Sequence, residues 1–125
     1  MRILGITTQL VVEDVVKTAE FYRDQLGFQI NGYFLDPPVY AMVERDGFRI
    51  HFGKSDGPKV QSSNVPLRQV GFDLYFWVSD VVELFEEFSS NEVEILEAPT
   101  IRVYGNKEFS IKDINGFKLV FGQEL

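Results

Sequence analysis

Apolar residues recur along this chain with two different periods, and the switches between those periods mark out its elements. Over residues 3–12 apolar and polar positions alternate as in a strand, and Asp14 then caps a helix whose Val15, Val16, Ala19, Tyr22 and Leu26 return at helical spacing. Gly27 ends that helix. Residues 28–34 predict a second strand, and the Pro37-Pro38 pair breaks the pattern after it. Residues 40–44 and 48–52 predict a hairpin around Arg45-Asp46-Gly47, because an Asp-Gly pair tolerates the positive φ that a tight turn requires. The order is strand, helix, three strands.

Residues 54–66 carry Gly, Ser, Asn and Pro with little apolar pattern, which predicts a connecting segment. The same order then returns. Residues 72–78 read as a strand, and Asp80 opens a helix with Glu83 three places later, the spacing of a capping box. Val81, Leu84, Phe85 and Phe88 supply its apolar stripe. Residues 93–96 predict a short strand, and residues 109–112 and 117–121 a closing hairpin around Asn115-Gly116.

The repetition extends to single residues. A shift of 66 positions lays Val12, Asp14, Val15, Val16 and Glu20 on Val78, Asp80, Val81, Val82 and Glu86. A shift of 69 lays Gly47-Phe48-Arg49-Ile50-His51-Phe52-Gly53 on Gly116-Phe117-Lys118-Leu119-Val120-Phe121-Gly122, matched in class everywhere except His51 against Val120. At 125 residues the chain has one domain's worth of core, so the expected organisation is a single domain of two repeats. Residues 1–53 form the first module, 54–66 the connection and 67–125 the second module.

Residues two apart on a strand share a face, which sorts the side chains. Leu10 and Val12, Leu74, Phe76 and Val78, Phe48, Ile50 and Phe52, and Leu119 and Phe121 form the sets expected to meet the helices. The opposite face carries Thr7, Gln9 and Val11, then Arg49 and His51, then Asp73, Tyr75 and Trp77, then Lys118 and Val120. The expected fold is therefore α+β: two tandem βαβββ modules forming a curved mixed sheet around a concave groove, with the helices outside.

Charge and composition narrow the function. The formal net charge of −7, with no basic stripe to offset it, argues against nucleic acid. It could favour a cationic ligand, although it equally serves to keep a small protein soluble. No apolar run approaches the ~20 residues of a membrane span, so no membrane partner and a cytoplasmic location are expected. The absence of cysteine removes disulfides, thiolate metal sites and cysteine nucleophiles.

Leu10-Val11-Val12-Glu13-Asp14 followed by Phe21-Tyr22 and Leu26-Gly27-Phe28, together with the closing run from Glu108 to Phe117, resembles the vicinal-oxygen-chelate superfamily. That superfamily includes glyoxalase I, extradiol dioxygenases, fosfomycin-resistance enzymes and bleomycin-resistance proteins. The closing run looks most like the bleomycin-resistance branch, which captures its ligand without a reaction. By the resemblance, the enzymes' metal ligands would fall on Thr7, His51, Asp73 and Val120. Val120 cannot ligate, a Thr hydroxyl is a poor ligand for Zn or Fe, and two remaining ligands are too few for a catalytic site. No catalytic residue, cofactor or metal is therefore expected.

His51 reads as a donor to a ligand, as a remnant metal ligand, or as a satisfied structural residue. Asp73 in an aromatic strand either faces a cavity or pairs with Arg49 or Lys118, since a buried carboxylate must be satisfied. Tyr75 and Trp77 either stack on a flat ligand or fill core. Tyr33, Phe34, Tyr40 and Tyr104 are rim aromatics that would close a groove or meet a second subunit. The expected function is metal-free capture of an aromatic or cationic small molecule by Thr7, Gln9, Tyr40, His51, Asp73, Tyr75, Trp77, Tyr104 and Val120. The alternative is a metal-dependent lyase, isomerase or oxygenase with atypical ligands. A homodimer is expected, because modules of this kind leave open sheet edges and members of the resembled family often build a groove from two chains.

Overall fold

Residues 1–57 and 63–125 are described by the computed structural model. The element order is β1 (Thr8–Val12), α1 (Val15–Leu26), β2 (Gln29–Phe34), β3 (Tyr40–Arg45), β4 (Phe48–Lys54), β5 (Leu74–Trp77), α2 (Val81–Ser90), β6 (Glu94–Ile101), β7 (Asn106–Lys112) and β8 (Lys118–Glu124). This is βαβββ twice, with one mixed four-stranded sheet per module in the orders β1-β4-β3-β2 and β5-β8-β7-β6. The chain divides into two compact units, Met1–Val60 and Gln61–Leu125. Residues 58–62 of the expected connection lie outside the described residues.

In the first unit Asp14 stops the strand and starts the helix. Its backbone is extended, and its carboxylate accepts from Val16 N at 3.1 Å and Lys17 N at 3.0 Å. Gly27, at φ 75°, closes α1 in the left-handed conformation that a side chain would resist. The buried stripe is Val15, Thr18, Ala19, Tyr22 and Leu26, so Thr18 takes the place expected for Val16. Thr18 fits because its hydroxyl donates to the Asp14 carbonyl at 2.8 Å. Tyr22 meets Phe52 at 4.9 Å and Phe28 at 5.5 Å between ring centroids. Each such buried ring contributes about 1.5–3 kcal/mol of apolar burial.

The second unit repeats the design with phenylalanines. Phe121 stacks between Phe76 at 4.7 Å and Phe109 at 5.1 Å, and Phe88 of α2 meets it edge-on at 5.3 Å. Asp80 caps α2 through Glu83 N at 3.0 Å.

Several details differ from the sequence expectation, among them the start of β7 at Asn106 rather than Phe109. The first strand begins at Thr8, where its ladder with β4 starts at Thr8↔Ile50, and Ile3, Leu4 and Ile6 are fully exposed. Phe48 was expected under the helix but is exposed, because it sits beside the Asp46-Gly47 turn at the hairpin tip. The sixth strand runs to Ile101 rather than ending at Leu96. It is an edge strand, so Pro99 costs it no ladder bond, and two bulges absorb the irregular stretch.

Candidate functional site

In the second unit the face of β5, β7 and β8 turned away from α2 carries an open groove of about 440 Å³ lined by Phe72, Tyr75, Trp77, Tyr104, Asn106 and Glu108. Strand alternation builds it: Phe76 points into the phenylalanine core, so its neighbours Tyr75 and Trp77 must point the other way. Tyr75 meets Phe72 at 5.5 Å and Trp77 at 4.9 Å between centroids. The rings of Phe72, Tyr104 and Trp77 are 44%, 63% and 65% exposed, which makes the wall aromatic and open to solvent.

Its floor is a carboxylate. Glu108 is only 4% exposed, and its oxygens accept from Tyr75 Oη at 2.5 Å, Tyr104 Oη at 2.7 Å and Arg102 Nε at 3.3 Å. Arg102 also pairs with Glu97. Burial pushes the Glu108 pKa upward, but the phenols and the guanidinium outweigh it, and the net result lies below the ordinary carboxylate value. Burial, and then the bond to Glu108, push the Tyr75 phenol up to about 12. The bond to Glu108, followed by burial, also raises Tyr104. At neutral pH the site therefore holds an ionised carboxylate and two neutral phenols. One guanidinium answers two carboxylates, which leaves the cluster net negative.

A glycine makes room for this arrangement. The Tyr75 ring lies across Gly122 of β8, where a Cβ would stand 1.9 Å from the phenol oxygen and 2.6 Å from Cζ. Glu108 is the register partner of Gly122 on the other side. Asn106 Nδ2 donates to the Tyr75 oxygen at 3.2 Å. Val120, the register partner of Tyr75, is buried next to it.

The first unit carries a smaller polar group on its equivalent face. Gln9 and Met42 flank His51 in register, and the Tyr40 hydroxyl bonds His51 Nδ1 at 2.9 Å. Gly53 leaves space for the Gln9 amide, whose Oε1 would lie 2.8 Å from a Cβ there. Thr7 falls just before β1 and is exposed. Arg49 and Glu44 pair with each other at 2.9 Å.

Asp73 differs most from its expected surroundings. It meets the backbone N–H of Lys118 rather than its ammonium, and it is absent from the groove lining. Its carboxylate accepts from Ser63 Oγ at 2.7 Å, Asn64 N at 2.6 Å and Lys118 N at 2.9 Å, which pins the incoming segment to the start of β8. Of the nine expected residues, the second unit brings Tyr75, Trp77 and Tyr104 together over Val120, and the first brings Gln9, Tyr40 and His51 together. Glu108, Asn106, Phe72 and Arg102 were missed. Glu108 carried a signal, since it alternates with Phe109 and so had to leave the helix-facing side.

The donor set implied for a metal does not fit one. Thr7 is outside its strand, Asp73 is committed to its own chain, and Val120 is apolar. Among the described residues no group of three His, Cys, Asp or Glu side chains is placed to hold a metal ion.

Residues 4–121 match the model of the Glyoxalase/Bleomycin resistance protein/Dioxygenase superfamily. The chain belongs to that superfamily. Its fold is shared with a bleomycin resistance determinant encoded on transposon Tn5, at 21% identity and a TM-score of 0.74 over 96% of this chain and 97% of the other. A bleomycin-binding protein solved in complex with bleomycin superposes with a TM-score of 0.75 at 22% identity, covering 97% and 98%. TioX from Micromonospora sp. ML1 gives 0.76 at 17% identity, covering 96% and 98%. No curated protein sequence matches the chain. Among the described residues no helix is long and apolar enough to cross a membrane.

Proposed function

We propose that this superfamily member is a metal-free binding protein that captures a flat, cationic small molecule on the aromatic face of its second unit, without turnover. The observation that carries the proposal is the groove itself: three exposed rings surround a buried, ionised Glu108. Exposed aromatic clusters of this kind are costly to leave in water and gain most from a planar partner. A cation gains further from the ring faces and from the net negative Glu97–Arg102–Glu108 cluster. The bleomycin complex of a protein with the same fold supports capture as the mode of action.

The same proposal includes a homodimer. Among the described residues no further strand pairs with the outer edges of β2 and β6, where Phe34 and Ile101 are exposed, and this favours a second copy as cover. Trp77 is the only tryptophan and lies on the groove wall, so its fluorescence reports binding directly. Titration with bleomycin and with flat aromatic cations is expected to quench it saturably, and a flat response across the panel would refute ligand capture. Light scattering at micromolar concentration is expected to give twice the 14.4 kDa chain mass, and a single chain's mass would refute the dimer.

A further inference from the structure

We propose that Glu108 is a positioning residue that fixes the two phenols of the groove as acceptors, so that the site selects cations carrying N–H donors over cations of equal charge that lack them. This rests on the reading of the groove as a cation site and names the feature of the ligand that the site selects. The first step is where the phenol hydrogens point. Glu108 is ionised and 4% exposed, so it can only accept, and the two hydroxyls within 2.7 Å must spend their single hydrogens on it. Tyr104 then presents lone pairs to solvent from a ring that is 63% exposed. The Tyr75 oxygen likewise has no hydrogen left to give, and it accepts from Asn106 Nδ2.

The other donors on the lining are the Trp77 indole N–H and the Asn106 amide. Phe72 is apolar, and Asn106 turns its amide N–H toward Tyr75. The Arg102 guanidinium is directed at Glu97 and Glu108. At the Tyr104 oxygen a ligand edge that offers only acceptors would face lone pairs against lone pairs. A ligand with N–H groups completes them.

The raised Tyr75 and Tyr104 phenols agree with this, since a proton held between a phenol and a buried carboxylate is hard to remove. In Glu108→Gln the side-chain carbonyl can satisfy one phenol, but its N–H group must point at the other oxygen, which frees that phenol's hydrogen to face the groove. The surface then presents donor and acceptor alike.

The test uses two flat monocations of similar shape, 9-aminoacridinium, which carries N–H donors, and 10-methylacridinium, which has none. Binding to the full chain is read by Trp77 quenching and by each dye's own anisotropy. The wild type is expected to favour 9-aminoacridinium by about three- to tenfold, the worth of one net hydrogen bond. Glu108→Gln is expected to weaken both dyes through the lost charge and to bring their ratio close to one. Tyr104→Phe keeps the ring and the charge and removes the acceptor, so it is expected to lower the ratio, with 9-aminoacridinium losing more affinity than 10-methylacridinium. Equal wild-type affinities, or a ratio unchanged in both variants, would overturn the selection by Glu108 while leaving cation capture intact. Failure of both dyes to bind the wild type would overturn capture and selection together.

Discussion

Gly122→Ala tests the geometry of the groove at its tightest point. A methyl group there would lie 1.9 Å from the Tyr75 hydroxyl oxygen, where an ordinary non-bonded contact begins at about 3.5 Å, so the ring must leave. Its departure removes the hydrogen bond to ionised Glu108, worth about 1.5–3 kcal/mol, and the edge contacts with Phe72 and Trp77, worth about 0.5–1.5 kcal/mol each. Removing a strand glycine returns about 0.5–1 kcal/mol. The expected net loss is about 1.5–5.5 kcal/mol. At roughly 2 cal/mol/K of unfolding entropy per residue, that lowers the melting temperature of a 125-residue domain by about 6–22 °C.

The control is Tyr75→Ala, in which the space above residue 122 is already empty and Gly122→Ala should be neutral or slightly stabilising. A double-mutant cycle by thermal and urea unfolding therefore separates ring displacement from backbone strain. Spectrophotometric titration of the five tyrosines supplies a second readout, because one phenol in the wild type titrates near 12 and should fall back toward 10 in Gly122→Ala. Since that pKa is raised in the folded state, the stability it carries is complete below about pH 10 and is lost as pH rises through about 12. If Gly122→Ala costs the same in the Tyr75→Ala background, or leaves the titration unchanged, the placement of Tyr75 over Gly122 is refuted. Gly53→Ala should cost less, because its contact is the end of a flexible Gln9 side chain at 2.8 Å.

Two further predictions concern the carboxylates. The Glu108 pKa is depressed on folding, so its stabilisation is present above the ordinary carboxylate value and disappears as pH falls through the lower folded value; acid unfolding followed by circular dichroism should be less steep in Glu108→Gln than in the wild type. Asp73→Ala leaves Ser63 Oγ, Asn64 N and Lys118 N without their acceptor and should cost about 2–4 kcal/mol by urea unfolding, and a loss under about 0.5 kcal/mol would show that the segment before β5 is held by other contacts.

The fold was legible because both periods were clean. Asp14 and Asp80 mark the two helix starts, Gly27 and the Asp46-Gly47 turn mark ends and reversals, and the heptapeptide repeat fixes which strands correspond. Boundaries failed where pairing rather than pattern decides. Residues 3–7 alternate like a strand but precede the first register pair, and β6 continues past Pro99 because an edge strand can spare the bond. The aromatic half of the site was legible from alternation alone. Its acidic half was legible only in part: alternation with Phe109 puts Glu108 on the face away from the helix, but only register sets it across Gly122 from Tyr75.

Register also revises what the difference between the two modules means. In sequence, Val120 stands where the first module has His51, as if the second module had dropped its polar chemistry. Aligned by their glycines, Gly53 lies between Gln9 and Tyr40, and Gly122 lies between Tyr75 and Glu108. The first module thus holds a phenol on the third strand that bonds an imidazole on the fourth. The second holds a phenol on its first strand that bonds a carboxylate on its third. The polar partner has moved one strand across, and the vacated position has become the apolar Val120 beside Tyr75. An imidazole pair can exchange donor and acceptor, whereas a carboxylate pair cannot, so the second module gives up tautomeric freedom and gains a fixed negative charge. That exchange sets a fixed, buried negative charge beneath the second module's aromatic face, and the proposed capture of a cation rests on it.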